Sequence, residues 1–313
     1  TVDVYAALIS QPATIRQDFL RLHDRDVDST SDTLEWNLEI NSTAFWENLD
    51  IRIEAFHNNT LHDTITIPVG VGGGAASNRS VWFTPPWDGD WQLYARLYDQ
   101  IGNPVPNGAV LTLPTTVANM APVATGSLSS NTSQTWLPIQ FNGAGYDIWG
   151  LSANNQTYTH NSSPTGYLWD FGDGGQSWLR TPSHAYTQTG DFNTTLQVTD
   201  IGGKQSTPQN WSMNITDTIM PMVKISVAGQ EVMGGLTLLT TQRVLFEAYM
   251  TDDNVPNEYL NFQWDWGDGT NEGGIGYTEA SHDWSNGSSN GTIYTLVLTV
   301  NDGIFTTNQT INI

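Results

Sequence analysis

The sequence predicts an all-β protein made of tandem β-sandwich domains, and three observations carry that prediction. Helical periodicity is nearly absent. Apolar residues instead alternate with polar ones between turn-forming clusters. One stretch, Trp-Asp-aromatic-Gly-Asp-Gly, occurs twice, with Trp169 and Trp264 95 residues apart. That spacing is too long for a solenoid unit and fits a small β domain.

The strands justify themselves in order. "TVDVYAALIS" alternates Val2, Val4, Ala6 and Leu8; "LDIRIEAF" alternates Ile51, Ile53 and Ala55; "YTLVLTVNDG" alternates Leu296, Leu298 and Val300. Clusters such as "VGVGGGAASN", "TPPWDGD" and "QIGNPVPNG" supply the turns between them. "WQLYARLYDQIGNPV", "NTTLQVTDIGGKQ" and "YTLVLTVNDGIFT" each end an alternating strand in an Asp before a Gly turn, at Asp99, Asp200 and Asp302. Three similar endings predict three similar domains, over 1–117, 118–216 and 217–313. The Pro-bearing linkers "TVANMAPVA" and "TDTIMPMVK" are too short to let neighbours tumble freely.

Composition excludes several function classes. The chain has 313 residues, 38% of them hydrophobic and 13 of them Trp, enough for two or three separate cores. Charged residues make up only 13%, and a net charge of −22 repels nucleic acid and anionic lipid. With Lys204 and Lys224 the only lysines, no basic patch forms, and no nucleic-acid partner is expected. Cysteine is absent, which removes disulfides and thiolate metal sites. No run of eighteen apolar residues suggests a membrane span, and Thr1 does not open a signal peptide, so the chain reads as a mature, soluble or assembled product.

Asparagine points to export. Twelve Asn stand in Asn-x-Ser/Thr triplets: Asn41, Asn58, Asn78, Asn131, Asn155, Asn161, Asn193, Asn210, Asn214, Asn286, Asn290 and Asn308. Chance supplies about 5, so the excess reads as N-glycan acceptors on an exported protein, against passive accumulation in a Thr-rich β chain. A surface of Asn, Thr, Ser and glycan stays soluble by hydrogen bonding more than by charge, which suits an archaeal or bacterial envelope.

The stretch "YLWDFGDGGQSWLRTPSHAYTQTGDFNTTLQVTDIGG" resembles the PKD domain, an immunoglobulin-like β-sandwich of cell-surface and secreted proteins. Trp169, Asp170, Phe171, Gly172, Asp173, Gly174, His184, Tyr186, Gly190, Phe192 and Asp200 match its signature. The third segment resembles it through Trp264, Asp265, Trp266, Gly267, Asp268 and Gly269, but "SHDWSNGSSNGTIY" replaces the compact His-x-Tyr turn with His282, Trp284 and a longer insertion. The resemblance implies three tandem Ig-like sandwiches, the last two PKD-like. The first segment lacks the signature and is Ig-like by strand pattern alone.

The repeated motif has a physical reading without catalysis. Its aromatics anchor a core, its glycines take positive φ, and its carboxylates accept backbone N–H groups in the turn. Asp170 and Asp173 have no nucleophile or sugar cleft beside them in the sequence, and catalytic residues are expected to be none. The six histidines show no zinc spacing, and no nucleophile elbow, His-Glu-x-x-His or phosphate loop occurs. The chain is not expected to be an enzyme or to require a cofactor.

Three features invite a binding role. "DRDVDSTSDTLE" sets Asp24, Asp26, Asp28, Thr30, Asp32 and Glu35 at positions 1, 3, 5, 7, 9 and 12 of a calcium loop, with Ser29 where a sharp loop needs Gly. It reads either as a structural calcium site or as a solvated acidic loop joining "FLRLH" to "LEWNLEI". Trp149, Trp178 and Trp284 fall in expected loops, where aromatic faces stack on sugars or meet other proteins. The terminal strand "TVDVYAALIS" could complete a neighbour's sheet edge or pair within its own domain. The function expected is that of a non-enzymatic extracellular structural glycoprotein, a subunit of a filament, surface layer or adhesive stalk, whose partners are copies of itself or other surface proteins. The alternative is a carbohydrate-binding accessory module of a secreted hydrolase, with polysaccharide as its partner.

Overall fold

The computed structural model describes residues 13–43, 46–154, 157–239, 241–250, 254–285 and 291–313. The first expected strand, residues 1–10, lies outside them. The chain is all-β, as expected, apart from a short 3₁₀ turn at Asn257–Tyr259. It divides into two compact units, one of residues 1–128, 141–182 and 194–211, the other of 129–140, 183–193 and 212–313.

In the first unit, one sheet runs in the order Thr14–His23, Thr33–Asn41, Ser77–Thr84, Gly145–Ala153, Tyr158–Ser162. A second runs Thr60–Val71, Glu47–His57, Gly89–Tyr98, Pro104–Leu111, with Thr115–Val117 also paired to Gly89–Tyr98. Strict alternation decides which side chains enter the core. In Thr33–Asn41, residues Leu34, Trp36, Leu38 and Ile40 are buried, and in Glu47–His57 so are Leu49, Ile51, Ile53 and Ala55. Trp91, Leu93, Leu97, Val81 and Phe83 complete the layer.

The expected boundary at 117/118 is crossed by a hairpin. Strand Gly145–Ala153 pairs antiparallel with Ser77–Thr84, matching Leu151 to Phe83 and Ser152 to Trp82, and Leu151 is fully buried in the same core as Trp36 and Trp91. Without this hairpin, Ser77–Thr84 would present an unpaired edge, which sheet proteins cover or blunt. Asp63 on the facing sheet fixes it: its Oδ2 accepts the Leu151 N–H at 2.7 Å and the Thr159 hydroxyl, and its Oδ1 meets His160 Nε2 at 3.4 Å. Gly150, at φ +94°, makes that approach fit, since a Cβ there would lie 2.1 Å from Thr159 Oγ1 and 2.5 Å from Asp63 Oδ2.

The first Trp-Asp-aromatic motif ends strand Gly166–Asp170. Trp169 and Phe171 are buried against Phe141, ring centroids 5.2 and 5.0 Å away, and Trp169 also packs on Trp211. Asp170 Oδ1 accepts the Gly172 N–H and Asp173 Oδ1 the Gly175 N–H, both at 2.9 Å, while Gly172 and Gly174 hold φ of 83° and 95°.

The second unit packs the sheet Gln230–Glu231, Val223–Val227, Val244–Met250, Glu279–His282 with the sheet Asn271–Ile275, Asn261–Asp265, Thr295–Asn301, Thr306–Asn312. Phe246, Phe262, Trp264, Trp266, Leu296, Leu298 and Val300 form its core. The turn chemistry of the first motif recurs here. Asp265 Oδ1 accepts the Gly267 N–H and Asp268 Oδ1 the Thr270 N–H, each at 3.0 Å, with Gly267 and Gly269 at φ 75° and 90°. His184, Tyr186 and Phe192 also lie in this unit as a run of ring contacts around the fully buried Tyr186.

Candidate functional sites

The acidic hairpin loop brings only part of its expected ligand set together. Oxygens of Asp24, Asp26 and Asp28 lie within 4.8 Å of one another. The Lys204 ammonium sits on them, 2.6 Å from Asp28 Oδ2 and 3.2 Å from Asp26 Oδ2, and also donates to the Asn119 carbonyl at 2.7 Å. Thr30 donates its hydroxyl to Asp28 Oδ1 at 2.5 Å. Asp32 is buried and spends its carboxylate on the Arg25 and Asp26 N–H groups and the Thr33 hydroxyl. Glu35 lies on a strand and meets His23 Nε2 at 3.0 Å and Ser80 Oγ at 3.2 Å. Of the six expected ligands the structure therefore groups three: Glu35 is engaged on its strand, backbone donors claim Asp32, and a lysine supplies positive charge to Asp26 and Asp28. Hydrogen bonds from Lys204 and Thr30 hold the Asp28 carboxyl well below the usual carboxylate range. Burial pulls the Lys204 ammonium down, but its bonds to Asp28 and Asp26 overcome this and raise it.

A second acidic group lies deeper in the same unit; the sequence marks its Asp200 as a strand ending, but not Asp147 or Asn119. Asp147 and Asp200 are 1% and 2% exposed, and Asn119 2%. Asp200 is partly satisfied, accepting the Asn119 amide at 2.7 Å and the Lys204 N–H at 2.9 Å. Among the described residues, both carboxylate oxygens of Asp147, and Oδ1 of Asn119, have no hydrogen-bond partner. Burial first, then the charge of Asp200, pushes Asp147 up to about 6; burial also raises Asp200, against the hydrogen bonds it accepts. Orphaned buried oxygens are rare in folded proteins, and a neighbouring set of carboxylate and amide oxygens has the chemistry that hard divalent cations select. No local spacing signals this group, because its members come from the linker "VANMAP", the strand "YDIWG" and the turn after "LQVTD".

The three expected contact aromatics separate. Trp178 is 69% exposed beside Leu179 at 67%. Trp149 is half-buried and stacks on His160 at 3.7 Å. Trp284 is corrected from a surface loop residue to a core one: it is 4% exposed, packs on Trp266, and donates its indole N–H to the Trp266 carbonyl at 3.1 Å. Trp46, 64% exposed over Gly70, was not anticipated.

Of the twelve glycan-acceptor asparagines, Asn155, Asn286 and Asn290 lie outside the described residues. Asn58, Asn78, Asn131, Asn161, Asn193, Asn210, Asn214 and Asn308 are exposed. Asn41 is half-buried, its amide donating to Glu39 Oε1 at 2.7 Å. Among the described residues, no helix is long and apolar enough to cross a membrane.

Residues 150–215 match the PKD domain family. The chain is 36% identical over 74 residues to the pre-pro-metalloprotease PrtV of Vibrio cholerae, a stretch covering 23% of this chain and 8% of that protein. Among solved structures, the PKD1 domain of Vibrio anguillarum Epp is 25% identical and covers 32% of this chain and 99% of its own, with a TM-score of 0.24. The PKD1 domain of V. cholerae PrtV is 27% identical, covering 32% of this chain and all of its own, with a TM-score of 0.23. A tetra-tandem repeat from the extending region of a large adhesion protein covers 96% of this chain and 73% of its own at 16% identity and a TM-score of 0.37. Over residues 150–215, the chain carries a PKD domain.

Proposed function

We propose that this chain is a non-catalytic, extracellular structural module, a stiff spacer in a cell-surface assembly, braced by a calcium ion held by Asn119, Asp147 and Asp200. The observation that carries the reading is the pair of Asp147 oxygens, unpartnered among the described residues, at the start of the hairpin that completes the first sandwich. A cation bound there neutralises two buried carboxylates. It thereby ties the linker residue Asn119 to the hairpin strand and to the turn at Asp200, so that the first unit does not hinge.

The carboxylates of the Trp-Asp motifs support the absence of catalysis, since Asp170, Asp173, Asp265 and Asp268 all accept backbone N–H groups of their own turns. The recurrence of that turn supports reading residues 217–313 as a second PKD-like domain. Eight exposed glycan-acceptor asparagines support a glycosylated surface, and the alternating N-terminal segment supports assembly through strand addition to a neighbour. The carbohydrate-binding alternative keeps one specific support, the exposed Trp178.

Thermal unfolding of the full chain in calcium and in EDTA tests the brace. A higher melting temperature in calcium, lost in Asp147→Asn, is expected; equal melting in both solutions would sink it. Intact mass of the cell-derived protein, with electron microscopy of the same sample, tests glycosylation and assembly. Unmodified, dispersed monomers would favour the alternative.

A further inference from the structure

The second unit carries a cavity on the outer face of one sheet. Strands Val223–Val227 and Val244–Met250 turn Val223, Ile225, Val244 and Phe246 into the core, leaving Lys224, Ser226, Glu247 and Tyr249 on the opposite side. Register places Lys224 opposite Tyr249, and Ser226 opposite both Glu247 and Glu231. These five residues line a cavity of about 450 Å³. That size suits a small-molecule ligand of one or two rings.

Its polar groups are positioned in advance of any ligand. Lys224 Nζ meets Glu231 Oε2 at 2.9 Å. Glu247 Oε2 accepts Ser226 Oγ at 3.3 Å and the Gly229 N–H at 3.2 Å, across a turn in which Ala228 and Gly229 hold φ of 51° and 74°. Tyr249 is 62% exposed beside them and adds nothing to the core.

We propose that this cavity binds a neutral hexopyranose unit of a short glycan. Tyr249 offers an aromatic face for the ring's C–H side, Glu231 and Glu247 accept hydroxyl protons, and Lys224 donates to a ring or hydroxyl oxygen. The electrostatics favour a neutral ligand. Glu231 is already paired with Lys224 and Glu247 already accepts two donors, which weakens the pull on a cation, while the net charge of −22 disfavours uronates. This site lies in the other unit from the proposed calcium brace, so either reading can fail without the other.

The test is isothermal titration of the full chain with neutral gluco-, manno- and galacto-trisaccharides, with a trihexuronate as the anionic control. Binding of at least one neutral series is expected, weakened about tenfold or more in Tyr249→Ala and retained in Tyr249→Phe. Circular dichroism confirms the fold of each variant. No neutral binding at millimolar sugar, binding unchanged by Tyr249→Ala, preference for the uronate, or binding lost only in Trp178→Ala would each overturn the proposal.

Discussion

Two acidic groups in the first unit resemble each other in composition and differ in how their charge is satisfied. The loop group of Asp24, Asp26 and Asp28 is exposed or half-exposed and carries its own cation, the Lys204 ammonium. The group of Asn119, Asp147 and Asp200 is almost fully buried and, among the described residues, leaves three oxygens without partners. The difference teaches that a ligand-like spacing marks residues close in sequence, whereas a demand for a cation arises from desolvation, which depends on the fold. Lys204 lies between them, its ammonium on the loop and its backbone N–H on Asp200.

The most damaging way to break this contrast is Gly150→Ala. The new Cβ would collide with Thr159 and Asp63 at a φ of +94°, displacing the hairpin that brings Asp147 inward. We expect a loss of ~2–4 kcal/mol in urea unfolding, together with loss of any calcium response. Calcium itself comes next. At a hundred times its dissociation constant it should stabilise the wild type by ~2.7 kcal/mol in the same assay. Asp147→Asn should show no such gain and should be more stable than wild type in EDTA, because it removes a buried charge.

The pH dependence sharpens the contrast, because the two groups shift in opposite directions. Asp147 rises from 3.8 to about 6 on folding, so the folded state binds the extra proton. Its contribution is therefore present at low pH and lost as pH rises from about 4 through 6, an effect of about 3 kcal/mol in EDTA that should vanish in calcium. Asp28 is depressed on folding, so its contribution is present above the ordinary carboxylate range and fades only as the solution becomes strongly acidic. The smallest effect is expected for Lys204→Gln. Its half-exposed ion pair with Asp28 makes the loss of melting temperature modest and salt-sensitive, and freeing Asp26 and Asp28 should give a weak second calcium response.

Much of the fold was legible in sequence because alternation is a local signal. The buried series Leu34, Trp36, Leu38 and Ile40 follows the period of two, and the Trp-Asp-aromatic-Gly-Asp-Gly turns behave as their composition dictates, with Trp169 and Trp264 fully buried. What escaped was non-local. Trp149 and Leu151 sit in a stretch that reads as a loop, yet the stretch is a strand because Ser77–Thr84 needed an edge partner. Trp284, flanked by Asp, Ser, Asn and Gly, read as exposed, but Trp266 offered it both a ring and a carbonyl. The open carboxylates stayed hidden for the same reason, since Asn119, Asp147 and Asp200 come from three separate stretches of chain.

Calcium titration of the full chain by calorimetry, comparing wild type, Asp147→Asn and the double variant Asp26→Asn/Asp28→Asn, tests the brace most directly. One strong site in the wild type and the double variant, absent from Asp147→Asn, is the predicted result. A site that survives Asp147→Asn and disappears with Asp26 and Asp28 would place calcium in the loop and contradict the account.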